Sequence, residues 1–173
     1  MSGRSRAADA VRLQLPLLDR LLDDAPDNPR DPPLSQAEAL AMLRRSVRRD
    51  LEALLNARRR WRTWPASLDE LDVSPVGYGI PDFTAGAFDS RTRREQLRAE
   101  VEDAIRRFEP RLATLRVSLM DETPRPDATL RLRIEALLRV EPAPEPVAFD
   151  TLLDVATADV TVRPNADEGY RRD

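Results

Sequence analysis

The chain has 173 residues, of which 41% are hydrophobic and 34% are charged, and this predicts one compact domain with short appendages. Its 28 basic residues are all arginine, and with 31 acidic residues the net charge is −3. No global field therefore favours nucleic acid or an anionic membrane. Cysteine and histidine are absent, which excludes disulfides, thiolate and imidazole catalysis and zinc-thiolate sites. Carboxylates, hydroxyls and tyrosine remain as candidate catalytic groups, so an enzyme is not the first expectation.

Residues 1–24 predict a short partner-binding helix. Pro16 suits a first helical position, and four leucines form one apolar stripe over about two helical turns. The stripe consists of Leu17, Leu18, Leu21 and Leu22. Proline and aspartates interrupt this segment, which is too short and polar for a secretory or transmembrane segment. We therefore expect a cytoplasmic protein without direct membrane insertion.

Residues 25–34 contain four prolines separated by polar residues, and predict an extended, semi-rigid linker. This linker sets the leucine stripe apart from the domain that follows. Two interpretations remain open. The stripe folds back and caps the core, or it packs into the helical bundle of a partner, as isolated amphipathic helices do.

Ser35 and Glu38 have the spacing of a capping box, which predicts a long helix that ends near Arg60. Its apolar residues recur at three and four positions and form one core face. Residues 44–62 also contain eight arginines. Such a run is usually a solvated helix face, with a contact to an acidic protein as the alternative. Nucleic-acid binding is not expected, since no stacking aromatic residues or nucleic-acid motif accompany the arginines.

A long segment between this helix and the next is rich in loop-forming residues, and loops of this length usually have a role. Gly77 and Gly79 permit backbone angles that other residues avoid, and Tyr78 and Pro81 complete the segment that we expect to order the loop. The two glycines are not a phosphate cradle, because no strand precedes them and no P-loop lysine exists. We expect no cofactor site here.

A second amphipathic helix, with candidate caps between residues 89 and 95, leads to Glu109 and Pro110. Proline ends the helix at this corner, and alternating strand patterns follow at residues 115–119, 130–140 and 147–155. A short extension reaches Val162, and residues 163–173 are expected to be a disordered tail. The prediction is an α+β domain over residues 35–162, with two main helices packed on a three-stranded antiparallel sheet and a tethered short N-terminal helix.

Glu109 is the most plausible catalytic residue, because a carboxylate beside Phe108 and Pro110 could act as a general acid. Arg107 and Arg111 flank it, however, and would hold the carboxylate in its ionised form. Glycoside hydrolysis also needs a second carboxylate, for which the candidates are Asp121, Glu135 and Asp150. A structural or binding ion pair is favoured, and we assign no catalytic, metal or cofactor residue.

The order of these elements resembles that of the TssE family. Its members are baseplate subunits of bacterial type VI secretion systems and are related to a wedge protein of contractile phage tails. The resemblance covers nearly the whole chain. It rests on Leu17-Leu18-Asp19-Arg20-Leu21, Tyr78-Gly79-Ile80-Pro81-Asp82-Phe83, Phe108-Glu109-Pro110-Arg111-Leu112, Arg133-Ile134-Glu135-Ala136, Val140-Glu141-Pro142 and Phe149-Asp150-Thr151.

The resemblance implies a structural subunit that joins a baseplate wedge with TssF and TssG, near TssK. It also implies that the sheet helps to start polymerisation of the TssB/TssC sheath by strand addition. The implied partner contacts are the leucine stripe and Glu109, Pro110 and Arg111. Some phage relatives have been called lysozymes, and another branch serves as an anti-adaptor in stress response. A peptidoglycan hydrolase and a regulatory binding protein are therefore the alternatives.

Overall fold

The computed structural model describes residues 15–22, 34–59, 64–84, 90–121 and 129–165. Three α-helices, one 3₁₀ segment and four strands are defined in these ranges. The helices are α1 (Leu17–Leu21), α2 (Gln36–Asn56) and α3 (Arg91–Phe108), and the 3₁₀ segment is Ala66–Val73. The strands are β1 (Leu112–Leu119), β2 (Thr129–Leu138), β3 (Glu145–Asp154) and β4 (Val160–Pro164). None of the described helices is both long enough and apolar enough to cross a bilayer.

Helix α2 begins with the predicted capping box. The Ser35 hydroxyl accepts from the Glu38 N–H at 3.3 Å, and the Glu38 carboxylate accepts from the Ser35 N–H at 2.8 Å. Two backbone donors that the first helical turn leaves without partners are thereby satisfied. The helix ends at Asn56, four residues before the predicted end near Arg60. Helix α3 begins after Ser90, whose side chain makes no capping hydrogen bond.

The sheet has four antiparallel strands in the order β1-β2-β3-β4, so the predicted α+β class is confirmed and the three-stranded count is wrong. The additional strand, β4, places Val160 opposite Leu153 and Val162 opposite Thr151. Both valines are buried. β4 follows a turn in which Ala158 has a φ of 61°, and it continues through residues 163 and 164, the start of the predicted tail. The tail from residue 166 lies outside the described residues.

One core joins the helices to one face of the sheet. The large side chains that are fully buried come from α2, α3, alternate positions of the strands and the loop residue Ile80. They include Leu51, Leu55, Ile105, Leu132 and Ile134. The intervening strand positions face solvent and are largely polar. This alternation gives the antiparallel sheet one buried and one hydrated face. Residues 1–14, 23 and 24 of the predicted N-terminal segment and residues 25–33 of the predicted linker lie outside the described ranges.

Candidate functional site

The predicted corner lies between α3 and β1. Glu109 is the C-cap residue of α3, and its N–H donates to the Ile105 carbonyl oxygen at 2.8 Å. Its own carbonyl accepts from the Leu112 N–H at 3.2 Å, across Pro110 and Arg111. Pro110 cannot extend the helix because it has no N–H and restricts the residue before it. The change from helical to strand periodicity thus occurs where the sequence predicts it.

Glu109 is buried, with 4% of the residue exposed. Its Oε1 accepts from the Arg111 Nε at 2.6 Å and from the Arg111 backbone N–H at 3.2 Å. Its Oε2 accepts from Nη2 of the same guanidinium. This is a bidentate pair, the strongest geometry between arginine and a carboxylate. Arg107, the other predicted neighbour, lies instead 3.9 Å from Asp72.

Arg111 also fastens the corner to α2. Its Nη2 donates to the Asp50 carboxylate at 2.6 Å, and its Nη1 donates to the Ser46 hydroxyl at 3.2 Å. Burial alone would lower the pKa of Arg111, but the hydrogen bonds and charges of Glu109 and Asp50 outweigh burial and raise it. The guanidinium therefore stays charged and holds two carboxylates from different elements.

The same polar cluster reaches α1 through Arg49. Arg49 donates to the Ser46 hydroxyl at 3.2 Å, to Asp50 at 3.1 Å and to Asp19 of α1 at 2.6 Å. The Asp19 side chain is only 12% exposed. The hydrogen bond from Arg49 holds the pKa of Asp19 below its ordinary value of 3.8. A chain of charged contacts thus runs from the corner, across α2, to the N-terminal helix.

Beside this polar cluster lies a groove of about 420 Å³. Its apolar walls come from α2, the end of α3, the loop and the residue before α1, and its polar rim is the corner itself. The lining residues are Pro16, Leu51, Leu54, Tyr78, Phe108, Asp50, Glu109, Pro110 and Arg111. We refer to this set as the corner groove. The N-terminal segment, the loop with Tyr78 and the corner, which the sequence predicts as separate features, therefore meet at one surface.

The chain matches the family described as baseplate wedge protein gp25 over residues 41–143. This match covers more than half of the 173 residues. The chain belongs to the baseplate wedge protein gp25 family. A comparison with curated proteins found no match. The gp25 family is a structural baseplate family, and the matched range contains the corner, Ser46, Asp50 and Tyr78. Helix α1 and strands β3 and β4 lie outside it.

In this gp25-family chain, the loop is fixed against α2 by backbone contacts. The Ile80 N–H donates to the Ala57 carbonyl at 3.1 Å. Gly79 has a φ of 106°, and a Cβ added there would lie 2.4 Å from the same carbonyl oxygen. A Cβ at Gly77 would lie 2.5 Å from the Asp72 carbonyl oxygen. Only glycine fits such close approaches. Pro81 follows and is half-buried.

The loop brings Tyr78 to the corner groove. The Tyr78 and Phe108 ring centroids lie 5.2 Å apart with an interplanar angle of 73°, an edge-to-face geometry that aromatic pairs favour. Burial, with the negative charges of Asp50 and Glu109, raises the pKa of Tyr78. Its hydroxyl therefore stays protonated at neutral pH and provides a polar group at the edge of an otherwise apolar wall.

The four leucines of the predicted stripe, three in α1 and Leu22 directly after it, do not cap the core. They are exposed by 69%, 54%, 72% and 59% for Leu17, Leu18, Leu21 and Leu22, and no residue of α1 is buried. Asp19 contacts α2 instead and Pro16 lines the corner groove. The helix is thus held by a charged contact while its leucine stripe remains accessible.

The candidate second carboxylates do not gather around Glu109. Glu135 and Asp150 alternate with buried residues and lie on the solvent-facing side of the sheet, where Asp150 accepts from Arg133 at 3.0 Å. The main-chain carbonyl of Asp121 accepts from Arg94 at 3.2 Å. Within the described ranges, no cluster of three or more side chains has the composition of a metal site.

Sequence reasoning missed Asp19, Ser46, Arg49 and Asp50 as parts of the corner cluster. The sequence predicts that the arginines of α2 form a solvated face or a partner surface, whereas Arg48 and Arg49 bond within the chain. Hydrophobic periodicity carries no information on which arginine meets which carboxylate. The only available signal was the position of Asp19 among the leucines.

Proposed function

We propose that the chain is a TssE-type structural subunit of a type VI secretion baseplate. In this role it binds other baseplate subunits, TssF and TssG, near TssK, and helps to nucleate the TssB/TssC sheath in the cytoplasm. The observation that carries the proposal is the match to the baseplate wedge family over the range that contains the corner and its groove.

The leucine stripe of α1 supports a contact with a helical partner. A five-residue helix has little stability of its own, yet the Asp19–Arg49 contact at 2.6 Å holds this helix against α2. The four leucines of the stripe remain more than half exposed. An apolar stripe that is positioned but not buried has the chemistry to pack into a hydrophobic groove between helices. TssF and TssG are the partners to which we assign this contact.

The corner groove supports a second contact with the same partners. Apolar groups of a partner can fill the groove and pack against its walls around Leu51 and Phe108, while Tyr78 and Arg111 offer polar groups at the rim. Glu109 does not contact the partner directly in this proposal, because both of its carboxylate oxygens already bond to Arg111. Its role in the proposed assembly is to fix the position of Pro110 and Arg111.

Co-purification with TssF and TssG tests this function. The double substitution Leu17→Asp with Leu21→Asp places charges on the exposed stripe without touching the core, and should weaken binding by more than about tenfold. Leu137→Asp is the matched control, since Leu137 is also exposed, on the far face of the sheet. All variants should keep the wild-type melting temperature.

Two outcomes would contradict the proposal. One is the absence of co-purification of the wild-type chain with either subunit. The other is equal binding by the α1 double variant and the Leu137→Asp control. Murein release by the purified wild type would instead support the hydrolase alternative, in which Glu109 must deliver a proton.

A further inference from the structure

The solvent-facing side of the sheet carries charges of both signs, with more arginines than carboxylates. Its charged residues are the arginines Arg116, Arg131, Arg133 and Arg163 and the carboxylates Glu135, Asp150 and Asp154. The chain as a whole has a net charge of −3. This face is therefore opposite in sign to the net charge of the protein, and it attracts a negatively charged partner.

Contacts within the chain occupy some of these charges. Arg133 donates to Asp150 at 3.0 Å, and Asp154 accepts from a backbone N–H of the following turn at 2.8 Å. The other three arginines of this face form no side-chain hydrogen bond or ion pair with any residue that the structure describes. Three arginines thus remain to bind a partner, and Glu135 is the carboxylate whose charge opposes them.

Side chains of α2 hold the backbone of β4, the outer strand of this face. The Asn56 side-chain amide accepts from the Val160 N–H at 2.9 Å and donates to the Val160 carbonyl at 2.8 Å, as a neighbouring strand would. Glu52 accepts from the Val162 N–H at 3.2 Å, and Arg48 donates to the Val162 carbonyl at 3.2 Å. β4 is thus held between β3 on one side and α2 on the other.

The outer edge of β4 is closed, because α2 occupies its backbone groups and Pro164 has no N–H to donate. Arg163 extends from this held backbone and is exposed. Since the main chain at Arg163 is already ordered, a contact through its guanidinium costs side-chain freedom alone. A partner that reaches β4 therefore contacts the face of the strand and not its edge.

Arg116, Arg131 and Arg163 form a triangle on this face. Strands lie about 4.8 Å apart and rise about 3.3 Å per residue, which places the three Cα atoms about 12–16 Å from one another. The shortest side, of about 12 Å, joins Arg131 on β2 to Arg163 on β4. Leu152 on β3 lies directly opposite Arg131, and Leu137 on β2 is 37% exposed. The face thus combines separated positive charges with apolar side chains.

We propose that the solvent-facing side of the sheet binds an acidic amphipathic helix of a partner protein. Two carboxylates that lie two turns apart on a helix are separated by about 12 Å, which matches the distance between Arg131 and Arg163. Apolar side chains on the same side of the helix pack on Leu152 and Leu137, because a helix laid on a sheet buries an apolar stripe.

The same features disfavour nucleic acid as the occupant. Phe149, the aromatic residue of the four described strands, is buried in the core and offers no surface on which a base can stack. Glu135 and Asp150 lie between the arginines and repel phosphate groups. An acidic helix avoids this repulsion, because its carboxylates are discrete and its other positions are uncharged.

Binding of a synthetic peptide to the full chain tests this surface without any baseplate subunit. The probe is a helix of about 20 residues that carries leucines along one side and glutamates beside them, two turns apart. A second peptide has glutamine in place of every glutamate. At low ionic strength, the acidic peptide should bind at least about tenfold more tightly than the glutamine peptide. Equal affinity for the two peptides, or no binding of the acidic one, would overturn the inference and leave the proposed function as it stands.

A matched pair of variants tests which arginines bind the peptide. The face variant combines Arg116→Gln, Arg131→Gln and Arg163→Gln, and should bind the acidic peptide at least about tenfold more weakly than the wild type. The control variant replaces three exposed arginines of α2 and α3 and changes the net charge equally. It combines Arg45→Gln, Arg91→Gln and Arg93→Gln. Both variants should keep the wild-type melting temperature, and equal loss of binding in the two would refute the assignment to the sheet.

Amide chemical shifts locate the bound peptide in the wild type, independently of any substitution. They should change at Arg131 and Leu152, and not at Tyr78 in the corner groove. Changes at Tyr78 alone would place the peptide in the corner groove and contradict the proposal. Duplex DNA and phosphatidylserine vesicles are the competing probes, and tighter binding of either than of the acidic peptide would show that the occupant is wrong.

Discussion

The sharpest stability prediction concerns Glu109→Gln. The substitution keeps the size of the side chain but removes its charge and turns one acceptor into a donor that faces Arg111. Loss of one partner from a buried ion pair costs about 3–5 kcal/mol. Here Arg111 keeps its bond to Asp50 at 2.6 Å and its side chain is 25% exposed. We therefore expect the free energy of unfolding to fall by about 2 kcal/mol, which is less than that range. In a chain of this size, this lowers the melting temperature by about 4–8 °C.

Chemical denaturation followed by circular dichroism measures this loss. Glu135→Gln is the matched control because Glu135 is exposed on β2, and its effect should stay within about 0.5 kcal/mol. A double-mutant cycle with Arg111→Gln should give a coupling energy of about 1–3 kcal/mol. If Glu109→Gln changes the free energy of unfolding no more than Glu135→Gln does, the reasoning is refuted. Loss of TssF and TssG binding without loss of stability would make Glu109 a direct contact.

Two further predictions concern α1 and the loop. Because Arg49 lowers the pKa of Asp19 below 3.8, docking of α1 should be fully present above that pH and be lost as the pH falls through the lower folded value. The chemical shift of the Leu22 amide should change as the helix undocks, and Asp19→Asn should undock the helix at neutral pH. A Leu22 chemical shift that does not change with pH in this range would contradict the contact. Gly79→Ala should destabilise the fold by about 1–3 kcal/mol in thermal denaturation, since its Cβ would meet the Ala57 carbonyl at 2.4 Å. An unchanged melting temperature would be evidence against that close approach.

Most of the fold follows from local signals in the sequence. The capping box of Ser35 and Glu38 fixes the start of α2, and Pro110 fixes the end of α3. Strand β4 was not counted because it offers only two buried valines, Val160 and Val162, in five residues. Such a short alternation becomes a strand through its pairing with β3, which is a tertiary contact that periodicity does not encode.

The site was only partly predictable for a related reason. The sequence placed Glu109 beside Arg111, two residues apart, and favoured an ion pair between neighbours. The contacts from Arg111 to Asp50 and from Arg49 to Asp19 join residues that are 61 and 30 positions apart. Their pairing depends on how α1, α2 and the corner pack. Charged side chains on a helix surface have many possible partners, and only the fold selects among them.

The closed edge of β4 also limits how copies of the chain can associate with one another. A filament built by edge pairing needs two different free edges on each copy, one to give and one to receive. With Asn56 and Pro164 closing β4, two copies can pair through the described strands only β1 to β1, and that symmetric contact occupies both edges at once. Self-association through the sheet therefore stops at a dimer, and ordered growth requires a second kind of subunit.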